Sequence, residues 1–155
     1  MYAAAAAVGK AGFNSEWAVD SICALEHNVT VSWRAYFHPD FKAEFDALQS
    51  AVQDELLALL TPLRVYGPKL GRPDVDTLKG SAHANMKELR FKAGGGVWRV
   101  AFAFDPARKA ILLVAGDKSG VSERRFYKRL IDKADRRFTE HLKNLERSGE
   151  ERCAE

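Results

Sequence analysis

The chain changes its hydrophobic period three times between residues 29 and 147, and each change marks an element. Val29, Val31, Trp33, Ala35 and Phe37 alternate with Thr30, Ser32, Arg34 and Tyr36, the period of two that sets one strand face on a core. His38-Pro39-Asp40 then switches the period. Pro39 suits a first helical position, Asp40 favours the positive helix end, and Phe41, Phe45 and Leu48 recur at helical spacing. Ser50 and Gln53 have the spacing of a capping box. They predict a second helix that buries Val52, Leu56, Leu59, Leu60 and Leu63 and forms a hairpin with the first. Pro62 lacks the backbone donor and clashes with the preceding turn, so that helix is expected to end or kink near Thr61. Gly67-Pro68 and Gly71-Arg72-Pro73 read as a stiff loop. Asp74 to Asn85 reads as irregular, with Leu78-Lys79-Gly80 a candidate edge segment.

Three strands follow. Met86 to Lys92 puts Met86, Glu88, Arg90 and Lys92 on one face and Lys87, Leu89 and Phe91 on the other, and Gly94-Gly95-Gly96 supplies a turn that tolerates positive φ. Between Val97 and Phe104, Trp98, Val100, Phe102 and Phe104 oppose Val97, Arg99, Ala101 and Ala103. Asp105-Pro106-Ala107-Arg108 is a turn by its chemistry. Ala110 to Ala115 is nearly all apolar, which predicts a central strand covered on both faces.

The final period is helical. Ser122 is a plausible cap, and Phe126, Leu130, Ala134, Phe138, Leu142 and Leu145 recur every three to four residues. Arg124, Arg125, Lys128, Arg129, Lys133, Arg136 and Arg137 fall largely off that stripe. The order β-α-α-β-β-β-α predicts an α+β domain, a curved and mostly antiparallel sheet with helices on one side. Residues 1–28 are expected to be a peripheral extension, in which Ser15 could cap a short helix bearing Trp17, Ile22 and Leu25. The domain spans 29–147, and 148–155 reads as a frayed polar tail.

Composition narrows the class. With 155 residues, 46% of them hydrophobic, one core is the default. No apolar run approaches the roughly 20 residues of a membrane helix, and the alanine run before Lys10 is short and weakly hydrophobic for a secretory segment. A cytoplasmic protein is expected. Cys23 and Cys153 have no CxxC spacing and read as reduced bystanders. Net charge is only +3, yet residues 79–137 carry 15 Lys and Arg against 6 Asp and Glu. A surface for phosphates would need that concentration of cations.

The chemistry is expected from cations. Gly94-Gly95-Gly96 lacks the Lys-Ser/Thr of a P-loop, and neither GxSxG nor HExxH occurs. His27, His38, His83 and His141 are scattered and read as surface or capping residues, so neither a metal nor a nucleotide cofactor is indicated. What remains is Lys87, Arg90, Arg99 and Lys118, joined by Arg124, Arg125 and Tyr127. Fixed Arg and Lys donors suit the charge of a phosphodiester transition state. RNA offers its own nucleophile, the 2′-hydroxyl, and a Lys or a Tyr could move the protons. The same charges also read as a solvated face. Arg99 resists that reading because it interrupts an apolar strand, where burial without a partner is costly. Glu88 reads as the carboxylate that pairs with Arg99 or Arg90.

Leu78-Lys79-Gly80, Met86-Lys87-Glu88-Leu89-Arg90, Val97-Trp98-Arg99-Val100-Ala101-Phe102 and Ile111-Leu112-Leu113 running to Asp117-Lys118, followed by a basic helix, resemble the RelE/ParE superfamily of bacterial toxins. The phage-derived HigB-like branch is the nearest in pattern, with a loop like Gly67 to Pro73 before the sheet, over roughly residues 30–142. The resemblance implies a RelE-like fold and a toxin that cuts mRNA in the ribosomal A site without a metal or other cofactor, neutralised by a helix-turn-helix antitoxin. It implies Arg99 and Lys118 as catalytic residues, then Arg90, with Tyr127 the candidate for the family's C-terminal Tyr or His. Lys79 and Lys87 would grip RNA, with Arg124 and Arg125 beside them. Two alternatives stay open: a non-catalytic ParE-like inhibitor of DNA gyrase working through the basic last helix, and an inactive phage-derived remnant.

Overall fold

The computed structural model describes residues 33–153, with side chains through Gly149. Strand β1 is seen over Arg34–Phe37, with Ala35 and Phe37 buried and Arg34 exposed, as the alternation requires. Val29 to Ser32, and the helix considered around Trp17, lie outside the described residues. Helix α1 spans Pro39–Asp46 and buries Phe41 and Phe45; the Nδ1 of His38 caps it by accepting the Asp40 amide at 3.2 Å.

Helix α2 spans Ser50–Tyr66. Two expectations fail in it. The capping box is not made: Gln49 is the N-cap, and Gln53 Nε2 instead donates to the Phe45 carbonyl at 2.8 Å, which ties α2 back to the end of α1. The helix also runs past Pro62 to Tyr66. A proline inside a helix costs about 3 kcal/mol. Leu60 and Leu63, both fully buried beside it, offset this at about 2 kcal/mol each.

The irregular stretch holds a short edge strand, β2, at Val75–Thr77, a few residues ahead of the expected segment. Strands β3 (Met86–Ala93), β4 (Gly96–Phe104) and β5 (Lys109–Asp117) lie close to their expected spans. The β3–β4 turn is Gly94-Gly95 with φ of 56° and 78°, the positive values a two-residue hairpin turn needs. It pairs Ala93 with Gly96 and sets the register of the whole hairpin. At the next turn the Asp105 carboxylate accepts the Ala107 and Lys109 amides at 2.9 and 3.0 Å.

The five strands form one sheet in the order β1-β5-β4-β3-β2; β1 runs parallel to β5, and every other pair is antiparallel. The α+β class stands. The placement of helices on one side does not, because α1 and α2 cover one face and the last helix, α3 (Glu123–Cys153), covers the other. Each strand alternates apolar residues to both faces, so both need a lid. On the α1/α2 face lie Phe37, Leu89, Val100, Phe102 and Leu112; on the α3 face lie Met86, Ala101, Ala103, Ile111 and Leu113.

A bulge in β5 shifts the pairing between Ala101 and Phe102, so that Leu113 and Val114 both join the α3 layer. The Leu113 carbonyl accepts from Arg137 Nη1 at 2.6 Å. Arg137 therefore turns inward from α3, although the sequence groups it with the outer cations. It also grips both carboxylate oxygens of Glu44 on α1. Ser122 caps α3, its Oγ accepting the Arg125 amide at 3.3 Å. The expected frayed tail is helical to Cys153, since Glu146, Arg147, Glu150, Glu151 and Arg152 are strong helix formers. No described helix is long and apolar enough to cross a membrane.

Candidate functional site

Counting back from the Gly94-Gly95 turn, the hairpin sets Arg90 directly opposite Arg99. Like charges facing each other across an antiparallel pair repel. Glu88 lies two residues before Arg90 and so on the same face. Its Oε1 is 3.8 Å from Arg90 Nε and accepts the Tyr127 hydroxyl at 3.3 Å; its Oε2 is 3.9 Å from Arg99 Nε. One carboxylate thus stands among two guanidiniums and a phenol from three elements. Glu88 is 5% exposed and Arg99 6%, whereas the Arg90 side chain is 33% exposed.

Burial pushes the Glu88 carboxyl above the usual carboxylate range, against the Tyr127 hydrogen bond and the attraction of Arg99 and Arg90. Both Arg distances exceed hydrogen-bond reach, and neither Glu88 Oε2 nor Arg99 Nε finds a hydrogen-bond partner among the described residues. Arg99 Nη1 donates to the Trp98 carbonyl at 2.9 Å. On β2, Asp76 pairs in register with Glu88 and lies 3.6 Å from Arg90 Nη1. Hydrogen bonds from Arg72 and from the Thr77 amide hold Asp76 below the usual range.

Lys118 enters from the end of β5. Its amide donates to the Val97 carbonyl at 2.8 Å, its Nζ is 3.1 Å from Glu123 Oε1, and it stands 5.8 Å over the Tyr127 ring. The Lys118 side chain is 28% exposed. The preceding Asp117 locks this turn: its Oδ1 accepts the Ser119 and Val97 amides at 2.9 and 3.1 Å, bonds that keep its carboxyl low. Gly116, opposite Arg99 on β5, gives α3 its seat. A Cβ there would lie 2.8 Å from the Phe126 ring, so only glycine lets the first turn of α3, and with it Tyr127, come down on the charged patch.

Of the residues singled out for catalysis, Arg90, Arg99 and Tyr127 meet at Glu88, and Lys118 adjoins them only through the Tyr127 ring. The expected RNA-binding set is split. Arg124 and Arg125 are exposed on the first turn of α3, and Lys79 is exposed after β2. Lys87 points the other way, its Nζ donating to the Pro68 carbonyl at 3.3 Å. From the sequence Glu88 reads only as a pairing partner, and Asp76 and Gly116 carry no signal of their own. The i, i+2 spacing of Glu88 and Arg90 was the available signal for the first.

His38, Asp40 and Glu140 come within reach of one shared cation beside the middle of α3. Arg137 already supplies a positive charge there, 3.9 Å from Asp40. Burial lowers the His38 pKa despite Asp40 and Glu140, and its Nδ1 is occupied by the helix cap. His141 binds the buried Asp105 at 2.9 Å, and His83 meets Thr139 Oγ1 at 2.9 Å.

A family model described as phage-derived Gp49-like protein matches residues 43–139. The chain is 42% identical over 118 residues to a Mycobacterium tuberculosis protein named as toxin HigB2, covering 76% of this chain and 58% of that protein. It thus spans little more than half of that relative. A second protein of the same organism, named as toxin HigB3, is 44% identical over 99 residues, 64% of this chain and 84% of its own length. Among solved structures, a mutant of the E. coli toxin RelE in the free state aligns over 67% of this chain and 97% of its own, with a TM-score of 0.46 and 14% identity. On the family match and the HigB3 identity, the chain belongs to the phage-derived Gp49-like family.

Proposed function

We propose that this chain is the toxin of a two-gene toxin–antitoxin module, a cytoplasmic endonuclease that cuts mRNA on the ribosome and is held in check by a helix-turn-helix antitoxin. The observation that carries this reading is the Arg90–Arg99 cross-strand pair with Lys118 at the same end of the sheet. The names of the two mycobacterial relatives point the same way.

The 2′-hydroxyl oxygen bonds to phosphorus as the bond to the 5′ oxygen breaks, leaving a cyclic phosphate and a 5′-hydroxyl. Arg90 and Arg99 stabilise the charge that builds on the non-bridging oxygens. Lys118 exchanges protons with the ribose oxygens, and Tyr127 is the second candidate for that task. Arg90 and Lys118 already reach the surface. Arg99 lies beneath them, with Nη1 on the Trp98 carbonyl and Nε without a hydrogen-bond partner among the described residues. The test is the double variant Arg99→Ala, Lys118→Ala. Cleavage of message on ribosomes should fall by at least about a hundredfold, and growth arrest should be relieved in a protein that stays folded. Undiminished toxicity from a folded double variant would sink the reading.

The burial of Arg99 favours one competitor, a gyrase-binding toxin that uses the exposed cations of α3 instead of the sheet. Substitutions at Arg129, Lys133 and Arg136 would then matter more than Arg99→Ala. Induction would stop DNA replication before translation.

A further inference from the structure

We propose that Glu88 is a positioning residue, the internal counterion that holds Arg90 and Arg99 side by side for a phosphodiester while itself occupying none of their donors. The proposal rests on the reading of this site as an RNA-cleaving centre.

The hairpin register leaves the two arginines no choice but to face each other, and an anion between them is the simplest way to keep both on one face. Glu88 stands there, within ion-pair reach of both and hydrogen-bonded to neither. A carboxylate kept only for structure is expected to close onto its guanidinium in a two-pronged bond, as Glu44 does with Arg137. Here Glu88 Oε2 and Arg99 Nε are both buried and unmatched among the described residues. The pair is aligned but not consumed.

The groups facing Glu88 are Asp76 from β2, Arg90 from β3, Arg99 from β4 and Tyr127 from α3, with Lys118 behind the Tyr127 ring. Burial outweighs the Tyr127 hydrogen bond and the attraction of Arg99 and Arg90, and with repulsion from Asp76 it raises the Glu88 pKa. A carboxyl whose folded pKa is raised contributes stability below its unfolded pKa and loses it as pH rises through the folded value. Once ionised, Glu88 therefore works against the fold. A charge kept at the expense of stability, in the middle of a cation pair, marks a functional position.

The experiment is single-turnover cleavage by ribosomes programmed with message, using the full chain and Glu88→Gln. We expect the maximal rate to fall at least about tenfold with the half-saturating concentration unchanged or lower. The acid limb of the pH–rate profile should disappear, and Tm at pH 7 should be unchanged or higher. Glu88→Asp keeps the charge one methylene short and should recover part of the rate. On message blocked by 2′-O-methyl groups, Glu88→Gln should bind about threefold tighter, since one opposing charge is gone. Wild-type rate and pH profile in Glu88→Gln, with cleavage intact and lost in Arg99→Ala, would overturn the role of Glu88 and leave the reading of the site standing. A collapse of Tm in Glu88→Gln would also overturn it, by making the residue structural. If the wild type binds without cleaving, the shift on blocked message decides. If it neither cleaves nor binds, the reading of the site falls and takes this role with it.

Discussion

On the α1/α2 face of the sheet, Phe37, Phe41 and Phe45 pack edge to face or tilted against one another, over a layer completed by Leu56, Leu60, Val100, Phe102 and Leu112. On the α3 face the layer is apolar only from Met86 through Ala101 and Ala103 to Phe138, and smaller residues fill its centre. Beyond Met86 the same face gives way to Glu88, Arg90 and Arg99 under Tyr127. The strands are shared, so alternation alone cannot produce the difference. The α1/α2 lid is apolar apart from the buried Arg64 at the end of α2, whereas α3 is a basic helix that crosses from an apolar seat onto a charged one. A face that buries charge must pair it, and imperfect pairing leaves capacity for a ligand.

The comparison can be broken most forcefully from its apolar side. Phe41→Ala should cost about 3–5 kcal/mol, read as a lower urea midpoint, with activity per folded molecule unchanged. A loss of activity larger than the loss of folded protein would mean that the two faces are coupled.

Arg137→Met tests the structural ion pair against the loose one at Glu88. Its loss should cost about 2–3 kcal/mol, mostly from the stranded Leu113 carbonyl. Glu44 is more than a third exposed, so solvent screens its share. The Arg137 hydrogen bond holds the Glu44 carboxyl below its ordinary 4.5. A depressed carboxyl contributes stability above its unfolded pKa and loses it as pH falls through the folded value. Arg137→Met should therefore flatten the stability–pH curve just below pH 4.5. An unchanged slope there would show that the pair is not formed in solution.

The smallest stability effect is expected from Gly116→Ala, about 1–2 kcal/mol by overpacking against Phe126. Its cleavage defect should nevertheless exceed its stability defect, because lifting the first turn of α3 takes Tyr127 off Glu88. Melting curves and cleavage rates on one preparation measure both. Equal losses would mean that the seat of α3 serves packing alone.

Much of the fold was legible because it is local. The change of period at His38-Pro39-Asp40, the Asp105 turn and the stripe from Phe126 to Leu142 each depend on a few neighbours along the chain. The failures have tertiary causes. Pro62 sits inside α2 because Leu60 and Leu63 are buried against the sheet. Gln53 closes a helix hairpin instead of capping its own helix. Of the candidate site, Arg99 was legible as a cation that interrupts an apolar strand, whereas Arg90 and Lys118 were set apart from the other cations only by the family resemblance. Their common carboxylate was named only as a partner, since nothing in Glu88-Leu89-Arg90 says that burial will exceed the attraction of two arginines.

The sequence by itself determined the elements, the hairpin turns and the concentration of positive charge in the second half of the chain, because periodicity, turn chemistry and composition act over a few residues. Only the tertiary structure decided that the helices divide between two faces, that a bulge sends Leu113 and Val114 to the same side, and that Glu88 ends buried between Arg90 and Arg99. Those outcomes depend on which surfaces lose water, and burial is set by residues far apart in the chain.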